Sequence, residues 1–168
     1  PWGVDDTGTI NTYVSGGTGE SWGFEASYQT PFTFFDNFMR DFGIVLNYTY
    51  VDSERTTAEG EKAPMPGTSE HSANAVFYFV KNAWDARLVY NYRDDYLFNQ
   101  DDQKYVEGAG RWDFALRYTF LENFVASLDV ANITEESEYL YYDGMKARFN
   151  KLQLEGRRIA LGLSYTFQ

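Results

Sequence analysis

Arg158-Ile159-Ala160-Leu161-Gly162-Leu163-Ser164-Tyr165-Thr166-Phe167 alternates two kinds of residue along its whole length. Ile159, Leu161, Leu163, Tyr165 and Phe167 are apolar or aromatic. Arg158, Ala160, Gly162, Ser164 and Thr166, set between them, are small, polar or charged. Successive side chains of a strand point to opposite faces, so a period of two sorts these residues onto two surfaces. One surface is wholly greasy and the other is not.

The same period recurs upstream. Phe124, Ala126, Leu128 and Val130 alternate with Val125, Ser127, Asp129 and Ala131. Phe114, Leu116, Tyr118 and Phe120 alternate with Asp113, Ala115, Arg117 and Thr119. Trp84, Ala86, Leu88, Tyr90 and Tyr92 alternate with Asp85, Arg87, Val89, Asn91 and Arg93. Ala73, Ala75, Phe77 and Phe79 can share a face. Phe42, Ile44, Leu46, Tyr48 and Tyr50 alternate with Gly43, Val45, Asn47, Thr49 and Val51, and Trp22, Phe24, Ala26 and Tyr28 with Gly23, Glu25, Ser27 and Gln29. A further strand is expected near residues 9–14. These make about eight strands, each close to the roughly 9–11 residues that cross a bilayer at a tilt.

A soluble sandwich alternates as well. Two features favour a bilayer. Asp85, Arg87, Asp113, Arg117 and Asp129 all fall on the face opposite the aromatics. The connections also alternate in length. Lys81-Asn82, residues 121–123 and residues 32–40 make short turns, whereas residues 53–68, 97–108 and 135–154 make long loops. Bacterial barrels have short periplasmic turns and long external loops. With the carboxy-terminus on the periplasmic side, every long loop falls outside. The Gly16-Gly17-Thr18-Gly19 turn also falls outside, and it is short.

Composition agrees. The 168 residues bound a single domain and include 14 Tyr, 14 Phe and 4 Trp. Rings with one wet end suit a membrane interface. No segment approaches the roughly 18 apolar residues of a membrane helix. Cysteine is absent, which excludes a disulfide framework and a thiolate metal site. A net charge of -11 argues against nucleic acid as a partner. Pro1-Trp2-Gly3-Val4-Asp5 shows no signal peptide, so the expectation is a mature chain or a piece of a longer one.

Parity sets the registers. A two-residue turn at Lys81-Asn82 pairs Phe79 with Trp84 and Phe77 with Ala86. A three-residue turn at 121–123 pairs Phe120 with Phe124. A slip of one residue would turn Arg87 or Arg117 toward lipid, at a cost of about 2–4 kcal/mol near the midplane.

The closing segment, with its glycine, alternating apolar residues and terminal aromatic, resembles the last strand of outer-membrane barrels. Leu161 stands where a polar residue usually precedes the glycine, and Gln168 follows the terminal Phe167. Other segments resemble TonB-dependent receptors. They are Gly23-Phe24-Glu25-Ala26-Ser27-Tyr28-Gln29-Thr30-Pro31-Phe32, then Asn47-Tyr48-Thr49-Tyr50-Val51-Asp52-Ser53, then Asp129-Val130-Ala131-Asn132-Ile133-Thr134-Glu135-Glu136. Pro66-Gly67-Thr68-Ser69, His71-Ser72-Ala73-Asn74 and Tyr90-Asn91-Tyr92-Arg93-Asp94 fit the same pattern. The resemblance runs from about Gly19 to the end, and part of its wording is similar to a branch with carbohydrate importers.

The resemblance implies an all-β fold, an antiparallel transmembrane β-barrel. The whole chain, residues 1–168, would be its carboxy-terminal segment, about eight strands of a 22-stranded wall in the bacterial outer membrane. It implies a plug domain, remaining barrel strands and a signal peptide that this chain lacks. Implied partners are outer-membrane lipid, the plug, the TonB energy-coupling protein and a small nutrient such as a carbohydrate or siderophore. The alternative is a complete eight-stranded barrel with a structural or adhesive role.

Catalysis is not expected. A hydrolase in the outer membrane needs a base, usually His, and His71 is the only histidine. It reads as a polar residue at the external start of a strand, with no second ligand for zinc. Asp94-Asp95 and Asp101-Asp102 lack calcium-loop spacing and read as solvated loop. Neither metal nor cofactor is expected. Gly16 to Gly19 lacks the Lys-Ser/Thr of a phosphate loop. Arg87, Arg93, Arg117 and Arg158, with Asp85, Asp113 and Asp129, are expected to line the interior as a charge network. Tyr139, Tyr141, Tyr142, Arg148 and Phe149 are the candidate ligand contacts, because exposed rings offer flat surfaces to sugars and other apolar faces.

Overall fold

The computed structural model describes residues 17–57, 60–121 and 123–167. The strand expected near residues 9–14 lies outside them. Among the described residues there are twelve strands: β1 Gly17–Pro31, β2 Phe42–Thr57, β3 Lys62–Pro64, β4 His71–Lys81, β5 Trp84–Arg93, β6 Tyr96–Asn99, β7 Lys104–Val106, β8 Ala109–Phe120, β9 Phe124–Ala131, β10 Glu138–Tyr142, β11 Met145–Gln153 and β12 Arg158–Tyr165. They form two sheets. The larger runs β1-β2-β4-β5-β8-β9-β12, with β3 beside β2, and the smaller runs β11-β10-β7-β6. All pairings are antiparallel.

The large sheet is a meander of neighbouring strands, and its registers decide the faces. One row runs Thr30, Ile44, Phe77, Leu88, Phe114, Val130 and Ile159 across seven strands. The next row inward runs Phe42, Phe79, Ala86, Leu116, Leu128 and Leu161. No charged residue enters either row. The other surface carries Tyr78, Arg87, Ala115, Asp129 and Ala160 in register. The two expected faces therefore exist, and each strand presents its greasy set to the same side. On that side Trp22, Ile159, Leu161 and Leu163 stand well exposed, as a surface solvated by hydrocarbon requires. Among the described residues the sheet stays open: β12 pairs with β9 alone, and β1 with β2 alone.

Aromatic rings mark both edges of the greasy face. Trp84 stacks on Tyr118 at 4.2 Å, Phe120 on Phe124 at 5.5 Å, and Phe124 tilts against Tyr165 at 4.6 Å, all at the end with short turns. Trp22 meets Tyr50 edge-on at 5.4 Å, and Tyr90 meets Trp112 at 4.7 Å, toward the long loops. His71 belongs to this outer set: Tyr48 Oη lies 2.7 Å from its Nδ1, and its ring tilts 5.3 Å from Tyr50.

The turns correct the sequence reading in one place. Phe120 pairs with Phe124, as expected. At the other turn Lys81 pairs with Trp84, so Phe79 faces Ala86 and Phe77 faces Leu88. The turn residues are Asn82 and Ala83 rather than Lys81 and Asn82. Asn82 adopts φ 52°, a left-handed conformation that asparagine tolerates and lysine does so less readily. The slip is by two, so parity and both faces survive. The segment after Pro31 contains a short 3-10 turn, Phe38–Asp41, started by Asn37 capping the Met39 amide at 2.9 Å. Lys81 ties it to the wall through Asp41 at 2.5 Å.

The long loops are a second correction. Residues 97–108 and 135–154 fold into the four-stranded sheet instead of running as irregular connections. Its heart is Leu97, Val106, Leu140 and Tyr141, the buried apolar side chains among the described residues. The membrane wall keeps no such interior, since lipid covers what a core would cover. The external structure must bury its own apolar groups against each other.

Candidate ligand-contact site and lumen wall

The β10–β11 hairpin carries every expected contact residue. Its turn is Asp143-Gly144, with φ 54° and 65°. Two consecutive left-handed residues are what a tight hairpin demands, and Asp-Gly supplies them at little cost. Tyr141 pairs with Phe149 and Tyr142 with Met145, with bulges on both sides of Tyr141. The bulges rotate neighbouring tyrosines away from strict alternation.

Tyr139 and Phe149 meet with ring centroids 5.6 Å apart at 43°, and Phe149 is 57% exposed. Tyr139 donates its hydroxyl to the Lys146 carbonyl at 2.7 Å, which fixes the ring. Arg148 pairs with the Asp143 carboxylate across the hairpin. Tyr142 accepts from Asn150 Nδ2, and the Lys104 ammonium sits 5.8 Å from its ring. Phe149, Tyr139 and Arg148 thus make an open patch: a ring surface edged by the Arg148–Asp143 ion pair.

Tyr141 is placed differently. It is 3% exposed, and its ring stacks on Tyr105 at 5.6 Å. Its hydroxyl donates to Asp95 at 2.6 Å. The Asp95 carboxylate also accepts the Gly108 amide at 2.6 Å and lies 3.4 Å from Lys146 Nζ. Burial works to raise the Asp95 pKa, but the Tyr141 hydroxyl, the Gly108 amide and the Lys146 ammonium outweigh it and hold the carboxyl below its ordinary value. Burial, then the Asp95 carboxylate, pushes the Tyr141 hydroxyl well above the tyrosine range. The hydrogen bond to Glu107, at 2.9 Å, leads the effects that raise Lys146 despite some burial. Tyr141 is the post on which the patch stands.

The lumen face keeps one pair of the expected charge network and places other members of it elsewhere. Arg87 pairs with Asp85 of its own strand at 3.1 Å. Arg93 instead reaches out to Ser69 Oγ at 2.7 Å and to the Gly67 carbonyl. Asp113 accepts the Asn132 amide at 2.8 Å and Asn91 Nδ2 at 3.4 Å. Side-chain amides link neighbouring strands of this face, and one guanidinium, Arg111, reaches Glu155 at 3.0 Å. Asn47 and Asn91 are legible as residues of the non-aromatic face, but the bonding of Asn47, Asn74 and Asn91 to one another is not, because asparagine normally signals turns. The available signal was their position: each stands at an inward parity site in mid-strand, where asparagine is depleted.

Asn132 explains a motif that the sequence shows only as wording. It is 7% exposed and adopts φ 54°. Its side chain donates to the carbonyls of Glu136 at 2.8 Å and Glu155 at 3.0 Å, and accepts from the Glu136 amide at 2.9 Å. It knots the end of β9 to the strand that returns as β12.

With this geometry in view, comparison with known proteins gives a family. Residues 2–133 match the family described as TonB dependent receptor-like, beta-barrel. The chain belongs to that family, whose barrels are outer-membrane receptors. Among solved structures, the siderophore receptor PiuA from Acinetobacter baumannii is similar in fold, with a TM-score of 0.65 and 21% identity over 89% of this chain. This chain spans 22% of that receptor. No curated protein matches the sequence significantly.

Proposed function

We propose that this chain is the carboxy-terminal segment of the barrel of an outer-membrane receptor that imports a small nutrient, a carbohydrate or a siderophore complex, with energy delivered through TonB. The observation that carries the reading is the open, two-faced sheet. Among the described residues, seven strands present an aromatic, apolar face on one side and a polar face on the other, and the last strand pairs on one edge alone. Such a wall needs further strands to close. A plug domain and the remaining strands of the parent chain complete it.

In this reading the β10–β11 hairpin forms part of the external ligand site. Phe149, Tyr139 and Tyr142 offer ring surface, Arg148 offers a charged edge, and Tyr141 contributes from within by holding the hairpin. Ring stacking against the apolar face of a ligand is the main attraction, and hydrogen bonds at the rim set orientation.

The test is uptake by cells carrying the full receptor, with and without a functional TonB. Energised accumulation of labelled oligosaccharide or ferric siderophore, abolished without TonB, is the expected result. Equal accumulation in both strains overturns the proposal. Paired Tyr139→Ala and Phe149→Ala changes are expected to weaken binding while leaving receptor abundance unchanged.

A further inference from the structure

Four side chains in register on the lumen face, Ser27, Asn47, Asn74 and Asn91, form one hydrogen-bonded row across β1, β2, β4 and β5; Arg111 stands opposite Asn91 on β8, and the row ends diagonally on Asp113, which is in register with Val89. Ser27 donates to Asn47 at 2.8 Å, Asn47 to Asn74 at 3.2 Å, Asn74 to Asn91 at 2.7 Å and Asn91 to Asp113 at 3.4 Å. Every bond points the same way, and Asp113 dictates it. Asp113 offers its carboxyl oxygen as acceptor, and Asn91 turns its amino group toward it. The Asn91 oxygen then faces Asn74, which must donate in turn, and the constraint passes strand by strand to Ser27.

An amide has two N–H groups and two lone pairs, and the row uses one of each. Asn47, Asn74 and Asn91 therefore each retain one donor and one acceptor. These pairs repeat at the strand spacing of about 4.8 Å. Hydrogen bonds aligned toward one acceptor polarise one another, which strengthens the free acceptors. Asn47 and Asn91 are exposed and Asn74 partly so. The adjacent row, one step toward the short turns, is Val45, Val76 and Val89 in register. A neutral amide edge thus lies along an apolar floor. At its outer end Asn91 also lines a cavity of about 250 Å³ with Arg93, Tyr96, Glu107, Arg111 and Glu138.

We propose that this row binds a neutral, hydroxyl-rich solute, of which an oligosaccharide is the fitting class. A hydroxyl both donates and accepts, which matches what each amide has left. The C–H face of a sugar ring lies well on valine methyls. Amides give an anionic iron complex no charge pairing, and the cavity beside Asn91 is balanced in charge, with Arg93 and Arg111 set against Glu107 and Glu138 and Arg111 already paired with Glu155 at 3.0 Å. The inference deepens the importer reading and rests on it.

The experiment uses the full detergent-solubilised receptor. A panel of neutral malto-, cello-, xylo- and chito-oligosaccharides is titrated calorimetrically against wild type, Asn74→Leu, Asn47→Leu and Val76→Thr. At least one member of the panel is expected to bind. Each Asn variant is expected to lose about threefold to tenfold in affinity, as one or two hydrogen bonds are worth. Retained heat-modifiable migration on gels shows that a variant is folded, and Val76→Thr tests the floor without touching the row. Three results overturn the proposal: no panel member binds, binding is unchanged in all variants, or the variants alter only protection of the plug from protease. If TonB-dependent uptake of a ferric siderophore is then found without glycan binding, the importer reading survives and this inference falls. If no energised uptake of any kind is found, the importer reading itself falls.

Discussion

Tyr141 and Asp95 stand 46 positions apart in the chain, and the tyrosine hydroxyl donates to the carboxylate at 2.6 Å. One comes from the last long loop and the other from the link between β5 and β6. The bond joins two loops into a single external sheet. The Tyr139–Phe149 ring patch on the surface of that sheet keeps its shape only while this bond and the small core around it persist.

Tyr141→Phe removes the hydroxyl and leaves a partly buried carboxylate short of a donor. The expected cost is about 1–2 kcal/mol, felt by the loop sheet rather than the wall. Hydrogen exchange in the full receptor checks it. Amides of residues 138–153 are expected to exchange faster, and those of β5 and β8 to stay as they were.

The same site predicts a pH response. Asp95 is held below its ordinary pKa, so its contribution is fully present above the usual carboxylate value of about 3.9 and fades as pH falls through the lowered one. Tyr141 is raised, so its contribution is fully present below about 10 and fades only as pH rises through the higher value. Exchange protection of the loop sheet is expected to be flat between these limits and to fail first in acid. A loss of protection between pH 6 and 8 would contradict this.

Asn132→Gly and Asn132→Ala separate two roles of one residue. Both lose three side-chain hydrogen bonds. Only alanine also suffers at φ 54°, by about 1–2 kcal/mol. The alanine variant is expected to unfold at lower urea than the glycine variant, and both at lower urea than wild type.

Gly43 lies beneath the Tyr78 ring, where a Cβ would collide with the ring and approach the Thr30 carbonyl to 2.8 Å. Gly43→Ala is expected to destabilise the wall by about 1–3 kcal/mol. Tyr78→Ala in the same chain is expected to restore part of that loss, read as a coupling energy in a double-mutant cycle.

Much of this architecture is legible in the residues alone. The period of two in segments such as Ile159 to Phe167 defines both faces, because a strand has no other way to arrange alternating side chains. The turn beside Asn82 is legible in kind but off by one position. Periodicity tolerates a two-residue slip, and only the left-handed φ of Asn82 decides it. The external sheet goes unread for a different reason. Its strands are short, and bulges around Tyr141 break the period. Asp143-Gly144 between Tyr142 and Met145 is a hairpin signal that aromatic content overshadows. Within the candidate site, Phe149 and Arg148 are exposed, as the sequence leads one to expect of them. The burial of Tyr141 depends on Asp95 and Tyr105, which sequence distance conceals. The amide row is hidden likewise, since hydrogen bonds between strands follow from register and not from local pattern.

Lipid contact along the greasy face is tested most directly with spin labels. This segment contains no cysteine, so Leu88→Cys and Val89→Cys place single labels on adjacent residues of β5 in the full receptor, reconstituted in vesicles. Leu88 belongs to the greasy row, in register with Phe77 and Phe114, and Val89 to the lumen row, in register with Val76 and Asp113. High accessibility to oxygen dissolved in the bilayer is expected at 88 and low accessibility at 89, repeated at 116 against 115 on β8. Labels at 88 and 116 that are shielded from bilayer oxygen, or open to a water-soluble nickel complex, would contradict a wall whose aromatic face is solvated by hydrocarbon.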